Sequence, residues 1–252
     1  MLNIVIPMAG AGSRFAKAGY KDPKPLIGVH GVPMIKVVID NLKPEREHKF
    51  IFISQREHVQ AYGLREKLSE WAPGCFMVEL DGITEGAACT VLSARDYIDS
   101  DDELMIANSD QYVDISVNEY LQDMDVRGLS GSIMTMRASD PKWSFVGLDS
   151  QKLVTHVVEK EVISDEATVG IYNFRRGRDF VRAAELMIEK NLRVNNEFYV
   201  APVYNQLIQE GANVGVFNVG EEASGMYGLG TPADLNLFLS LALSLKVVEG
   251  SK

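Results

Sequence analysis

An apolar stretch, Ile4-Val5-Ile6-Pro7-Met8, runs into Ala9-Gly10-Ala11-Gly12-Ser13-Arg14-Phe15, and eight residues later comes Pro23-Lys24-Pro25-Leu26. A strand feeding a glycine-rich turn brings backbone N–H groups close to a chain of phosphates, because no side chain blocks the approach. Arg14 offers a planar, permanently charged fork and Lys24 a mobile point charge to the same anion. Pro23 and Pro25 restrict the backbone on both sides of Lys24 and hold its ammonium in a defined place. The combination points to a polyphosphate ligand. The glycines alone would mean only a tight turn: a dinucleotide fingerprint needs glycine where Phe15 stands, and the Lys-Ser/Thr ending of a P-loop is missing.

Asp110 follows the apolar run Leu104-Met105-Ile106-Ala107. A carboxylate at the carboxyl end of a strand could hold Mg2+, with water and phosphate oxygens filling the octahedron; a cap or turn would use the same residue. Glu159-Lys160 ends a second predicted strand. Lys160 could hold the phosphate of a second substrate while Glu159 accepts hydrogen bonds from its hydroxyls, and a surface ion pair worth about 0–1 kcal/mol is the alternative. In Thr84-Glu85-Gly86-Ala87-Ala88 small residues open a helix, where the backbone could approach a flat base or simply serve cap packing. His30, His48, His58 and His156 are too scattered for a metal cluster, and Ser13 lacks a nucleophile-elbow context.

These residues need a frame. Ile4–Met8, Phe50–Ser54, Cys75–Leu80 and Glu103–Ala107 read as strands, with helices over 34–42, 59–68 and 86–94 between them. Strands alternating with helices predict a mostly parallel sheet covered by helices. After residue 125 the pattern changes to strand candidates at 130–137, 144–148, 153–158 and 169–174, a mixed or antiparallel extension. Helices are predicted over 179–190 and 200–210, with a strand at 214–217. A C-terminal helix starts at Thr231-Pro232, where Thr caps and Pro occupies the first helical position. One domain over 1–252 is expected, with nucleotide-binding elements mainly in 1–125 and acceptor-binding elements mainly in 126–235.

The balance of 25 basic and 35 acidic residues gives a net charge of −10, against broad binding of polymeric nucleic acid, which favours a basic surface. Two cysteines are too few for a disulfide scaffold or a thiolate zinc cluster, and the start of the chain carries no leader-like segment, so a cytoplasmic protein is expected. The apolar run Leu235–Leu245 is interrupted by Asn236, Ser240 and Ser244 and falls short of the roughly 20 residues that span a bilayer. It reads as a buried or interface helix, compatible with a homo-oligomer.

Taken in order, Gly10-Ala11-Gly12-Ser13-Arg14-Phe15, Pro23-Lys24-Pro25-Leu26, Glu85-Gly86-Ala87, Asp110, Glu159-Lys160 and Gly228-Leu229-Gly230-Thr231-Pro232 resemble the sugar-phosphate nucleotidyltransferases, or nucleoside-diphosphate-sugar pyrophosphorylases. The resemblance is to the short bacterial members associated with capsule and lipopolysaccharide precursors, and it spans nearly the whole chain. It implies an α/β fold: a Rossmann-like, GT-A-like nucleotidyltransferase of three layers with a mixed central sheet. It implies Mg2+-dependent transfer of a nucleotidyl group from a nucleoside triphosphate, a pyrimidine one favoured with CTP ahead, to a sugar 1-phosphate or related phosphorylated acceptor. Pyrophosphate would leave. By the same resemblance Ala9, Gly10, Ala11 and Gly12 line the nucleotide's phosphates, Arg14 contacts the leaving pyrophosphate, and Lys24 bridges the reacting groups. Gly86 would lie near the base, Asp110 would bind the metal, and Glu159, Lys160, Asn196 and Glu197 would face the acceptor.

The chain departs from the family at Gly228, where a second metal-binding Asp is expected; Asp234 is a candidate replacement. Two other functions fit parts of the pattern. A nucleotide-sugar glycosyltransferase can share the fold, although Asn108-Ser109-Asp110 lacks the paired Asp-x-Asp of that class. A noncatalytic nucleotide sensor would tolerate the missing carboxylate.

Overall fold

The computed structural model describes residues 1–249. Its strands are β1 (Leu2–Pro7), β2 (Gly28–Val29), β3 (Val32–Pro33), β4 (His48–Gln55), β5 (Phe76–Leu80), β6 (Glu103–Ala107), β7 (Gln111–Val113), β8 (Gly131–Arg137), β9 (Ser144–Leu148), β10 (Val154–Glu159), β11 (Glu166–Phe174), β12 (Val214–Glu222) and β13 (Gly225–Gly228). β2 and β3 form a small hairpin; the others join one eleven-stranded sheet. Its first half, β5-β4-β1-β6, is parallel throughout. β11 then enters antiparallel to β6, β8 antiparallel to β11, and β12 parallel to β8. The mixed sheet expected from the change of pattern after residue 125 is therefore present, and the β6–β11 ladder makes it continuous across that division.

The layers follow from the strand residues. Leu2 to Ile6 of β1 are all buried, as a central parallel strand requires. Successive side chains point to opposite faces, so Ile4 and Ile6 join one apolar core while Val5 joins another. The first core includes Ile35, Val38, Ile39 and Leu42 of the helix Met34–Leu42; the second includes Phe180, Val181 and Ala184 of the helix Gly177–Glu189. The sheet thus lies between two helical layers. A third cluster packs Phe15 and the β2–β3 hairpin against Leu235 and Phe238 of the helix Pro232–Ser240.

Three predicted helices are broken. Gly63 takes a left-handed φ of 59° and divides residues 59–68 between Arg56–Tyr62 and Leu64–Trp71. Residues 200–210 begin as a 3-10 turn at Ala201–Val203, around Pro202, before the helix Tyr204–Gln209. The C-terminal apolar run bends at Leu241 into Pro232–Ser240 and Ala242–Glu249, with Leu237 and Leu245 about half exposed. Its start is as expected, since Thr231 Oγ1 accepts the Asp234 N–H at 3.1 Å. Among the described residues no helix is long and apolar enough to cross a membrane.

Gly86 caps the helix Ala87–Leu92 at φ 132°, and a Cβ there would stand 2.5 Å from both N and O of Phe198. The glycine lets two distant segments meet: Phe198 N–H donates to Glu85 O at 2.9 Å, and Ala88 N–H donates to Phe198 O at 3.0 Å. Gly86→Ala is therefore expected to cost about 2–3 kcal/mol through strain alone. Urea unfolding checks this, and an unchanged midpoint contradicts it.

Candidate active site

Two cavities open beside one another at the carboxyl ends of β1 and β6. The first, ≈ 440 Å³, is lined by Ala9, Gly10, Ala11, Lys24, Thr84, Gly86, Thr90, Asn108 and Glu197. The second, ≈ 320 Å³, is lined by Arg14, Asn108, Asp110, Gln111, Lys142, Trp143, Gly228 and Asp234. Asn108 belongs to both.

The glycine loop keeps two kinds of freedom. Gly12 sits at φ 60°, the left-handed region that favours glycine, as it turns into the short helix Ser13–Lys17. A Cβ on Gly10 would meet nothing within 4 Å, so no packing contact requires glycine there and the space it leaves belongs to the first cavity. Gln55, at the end of β4, donates its Nε2–H to Ala9 O at 2.7 Å and pins the start of the loop. That contact was not expected from the sequence, because β4 and the loop come together only through the β1–β4 ladder.

Lys24 opens a 3-10 turn in which Leu26 N–H donates to Pro23 O at 2.9 Å. Its Nζ lies 2.9 Å from Asp110 Oδ2, with both side chains about a quarter exposed. Arg14 is exposed and forms no ion pair among the described residues. Asp110 is fixed from below: its carbonyl accepts Leu229 N–H at 2.8 Å, and a Cβ on Gly230 would fall 2.5 Å from its Oδ2. The antiparallel pairing of β7 with β13, Gln111 opposite Gly228, brings that C-terminal glycine segment to the carboxylate. Asp234 faces the same space. Its Oδ2 accepts the Thr231 hydroxyl at 2.7 Å and stands 3.7 Å from the position of a Cβ on Gly228, so the carboxylate reaches the region of the expected Asp from the first turn of the helix that follows.

Asn108 is held by a feature the sequence hid. The β8–β11 register shifts between Thr168 and Tyr172, and within that irregularity Gly170 has φ 83°. Its carbonyl accepts Asn108 N–H at 3.0 Å, and a Cβ on it would collide with Asn108 Nδ2. A bulge beside a site re-aims a side chain at the cost of one unpaired residue.

The acceptor residues inferred from resemblance gather less completely. Glu197 lines the first cavity, but Asn196 is exposed on a turn. Asn195 and Asn196 have φ 49° and 64° between Val194 and Glu197, which bridge each other. Positive φ at both central residues of a tight turn favours asparagine, and that accounts for Asn196 without a ligand. Glu159 and Lys160 line neither cavity. The Ser144 hydroxyl donates to Glu159 Oε2, and Lys160 Nζ lies 2.6 Å from Tyr199 Oη. Burial pushes the Glu159 carboxyl above its ordinary value, partly opposed by the Ser144 hydrogen bond and by Lys160.

A family model described as nucleotidyl transferase matches residues 4–218. The nucleoside-diphosphate-sugar pyrophosphorylase from Vibrio cholerae RC9 is 27% identical and superposes with a TM-score of 0.81, over 94% of this chain and 100% of that one. The inositol-1-phosphate CTP transferase from T. maritima shares the fold, with a TM-score of 0.72 at 16% identity over 98% and 96% of the two chains. Among curated proteins, bifunctional protein GlmU of Methanocaldococcus jannaschii is 21% identical over 214 residues, covering 83% of this chain and 47% of that protein. The chain thus spans about half the length of that relative.

The raised Glu159 pKa sets a pH dependence. A carboxyl whose folded pKa lies above its unfolded one costs no stability below the ordinary value of 4.5, and its penalty grows as pH rises through the folded value. Glu159→Gln keeps an acceptor for Ser144 and should raise Tm at pH 7, with the gain shrinking as pH falls through the raised value towards 4.5 and vanishing below it. Melting curves across pH test this; an equal gain at all pH values contradicts it.

Proposed function

The chain belongs to the nucleotidyl transferase family, and on that premise we propose that it transfers a nucleotidyl group from a nucleoside triphosphate to a sugar 1-phosphate or related phosphorylated acceptor, releasing pyrophosphate. The observation that carries this reading is the pairing of two cavities across Asn108, with Lys24 of the first ion-paired to Asp110 of the second, which Arg14 also lines. The name of the pyrophosphorylase at 27% identity supports the same reaction class.

The nucleotide's phosphates lie along Ala9 to Gly12, where Gly10 leaves room for them. Thr84 and Thr90, whose hydroxyls are 2.6 Å apart on the wall of the first cavity, stand where a base edge can be read. A pyrimidine triphosphate is favoured, CTP first, by the resemblance to small capsule-type enzymes and by the name of the T. maritima neighbour. The acceptor's phosphate oxygen attacks the α-phosphorus in line with the leaving group. A phosphate nucleophile is already anionic near neutral pH, so the protein's task is to hold two repelling anions together. Lys24 shifts from Asp110 to the reacting phosphates, and the unpaired Arg14 receives charge on the departing pyrophosphate.

Among the described residues no three His, Cys, Asp or Glu side chains form a metal cage. Mg2+ does not need one, since it binds through one or two carboxylates and completes its shell with water and substrate phosphates. Asp110 and Asp234, facing one cavity, are that kind of donor set. When bound, the ion would neutralise phosphate charge in the transition state. The resemblance to short bacterial members also supports a cytoplasmic enzyme that makes an activated precursor for surface polysaccharide.

A matrix of the four nucleoside triphosphates against phosphorylated acceptors, reading pyrophosphate release and product mass, tests the proposal. Pyrophosphate formation that needs both substrates, and is abolished by EDTA, is expected. No product from any pair, but glycosyl transfer with nucleoside diphosphate release once a nucleotide sugar is supplied, would show a glycosyltransferase, and no product under either condition would favour a sensor.

A further inference from the structure

Among the described residues Asn108 alone lines both cavities. It stands exposed between Ala107 and Ser109, which are buried. The charged groups beside it are engaged: Lys24 pairs with Asp110, and Asp234 accepts the Thr231 hydroxyl. The side-chain amide of Asn108 has no hydrogen-bond partner among the described residues. It is an accessible, uncharged and unengaged group on the boundary between two spaces.

The backbone makes room for that amide. Asn108 N–H donates to Gly170 O at 3.0 Å, which fixes where the side chain starts. Gly170 itself sits at φ 83°, inside the register shift of β11, and a Cβ on it would lie 2.7 Å from Asn108 Cγ and collide with Nδ2. A side chain that only met water could swing away from such a Cβ; here the neighbouring strand is shaped around one placement. Within it the amide can still turn, because the terminal torsion of asparagine is soft. Phosphate oxygens only accept, so a phosphate on either side takes the Nδ2–H end.

We propose that Asn108 is a catalytic residue, donating its Nδ2–H to the α-phosphoryl group as that group passes from one cavity to the other. The inference rests on the nucleotidyl-transfer reading above, with the nucleotide in the first cavity and the acceptor in the second. The new bond must then cross the boundary that Asn108 occupies. An acceptor phosphate oxygen bonds to the α-phosphorus while the bond from that phosphorus to the bridging oxygen of pyrophosphate breaks, and that oxygen leaves with the electron pair. Asn108 gives up no proton and ends the step unchanged. Lys24 and Arg14 attract phosphate charge before transfer as well as during it, so they serve binding and reaction together. A neutral N–H at the boundary gains most when charge gathers on the transferring group, so its effect belongs to kcat more than to either KM. A carboxylate in its place would repel both substrates.

Asn108→Ala, Asn108→Leu and Asn108→Asp are compared with the parent in melting and in pyrophosphate release, using the active pair from the substrate matrix. Because the side chain is exposed, all three are expected to melt near the parent. N108A and N108L are expected to lose about 10–100-fold in kcat, with KM for triphosphate and acceptor each within about twofold. N108D is expected to fall below N108A at about pH 8. Relative to the parent it should recover as pH falls towards about 5, because a protonated carboxyl is neutral and can donate. Parental kcat in N108A and N108L, a loss confined to one KM, a fall in Tm that tracks the loss of kcat, or an N108D that follows N108A at every pH overturns the assignment and leaves the transferase reading standing. No pyrophosphate from the parent with any pair overturns that reading and this inference with it.

Discussion

The contact on which the site depends is the ion pair between Lys24 and Asp110. It joins residues 86 apart in sequence, one from the loop after β1 and one from the end of β6. With both side chains a quarter exposed, such a pair contributes at most about 1 kcal/mol to stability. Its importance lies in position. Each partner is fixed by its own backbone, Lys24 by the turn between Pro23 and Pro25, and Asp110 by Leu229 and Gly230. In the free protein the two charges neutralise each other. On the proposed function, incoming phosphate takes the lysine and frees the carboxylate, so the same pair serves as a placeholder for both substrate and cation.

Glycine does separate work around that pair. At Gly86, Gly170 and Gly230 a side chain would strike Phe198, Asn108 and Asp110 respectively, so these glycines set where the functional backbone runs. At Gly10 a side chain would strike nothing in the protein, and the free volume belongs to the first cavity. The same residue type thus builds the walls in three places and leaves the space in a fourth. The sheet makes this arrangement possible: β6, β11 and β13 end or turn near one another, although they come from distant parts of the chain.

Much of this was legible in the sequence where one segment carried its own signal. The run Glu103–Ala107 and the stretch Ser144–Leu148 are strands within the bounds read from their apolar residues. Thr231-Pro232 starts a helix because cap and first-turn chemistry are local. Gly63 shows the limit: a glycine tolerable inside a helix pattern instead broke the helix, and nothing beside it in sequence decides that. Asn196 was read by resemblance as an acceptor contact; it stands exposed on a turn whose φ of 64° itself favours asparagine. Gly170 and Gln55 could not be found at all, because their roles exist only after β11 meets β6 and β4 meets β1.

The central claim is that Lys24 and Asp110 meet in order to react with substrate and not to hold the fold. Four proteins decide it: the parent, Lys24→Ala, Asp110→Ala and the double variant, each measured for unfolding free energy in urea and for kcat/KM in pyrophosphate release. The account predicts a coupling of at most about 1 kcal/mol in the unfolding cycle, with turnover falling by about 100-fold or more in each single variant and non-additively in the double. A large coupling in stability, accompanied by parental turnover in the single variants, would contradict it.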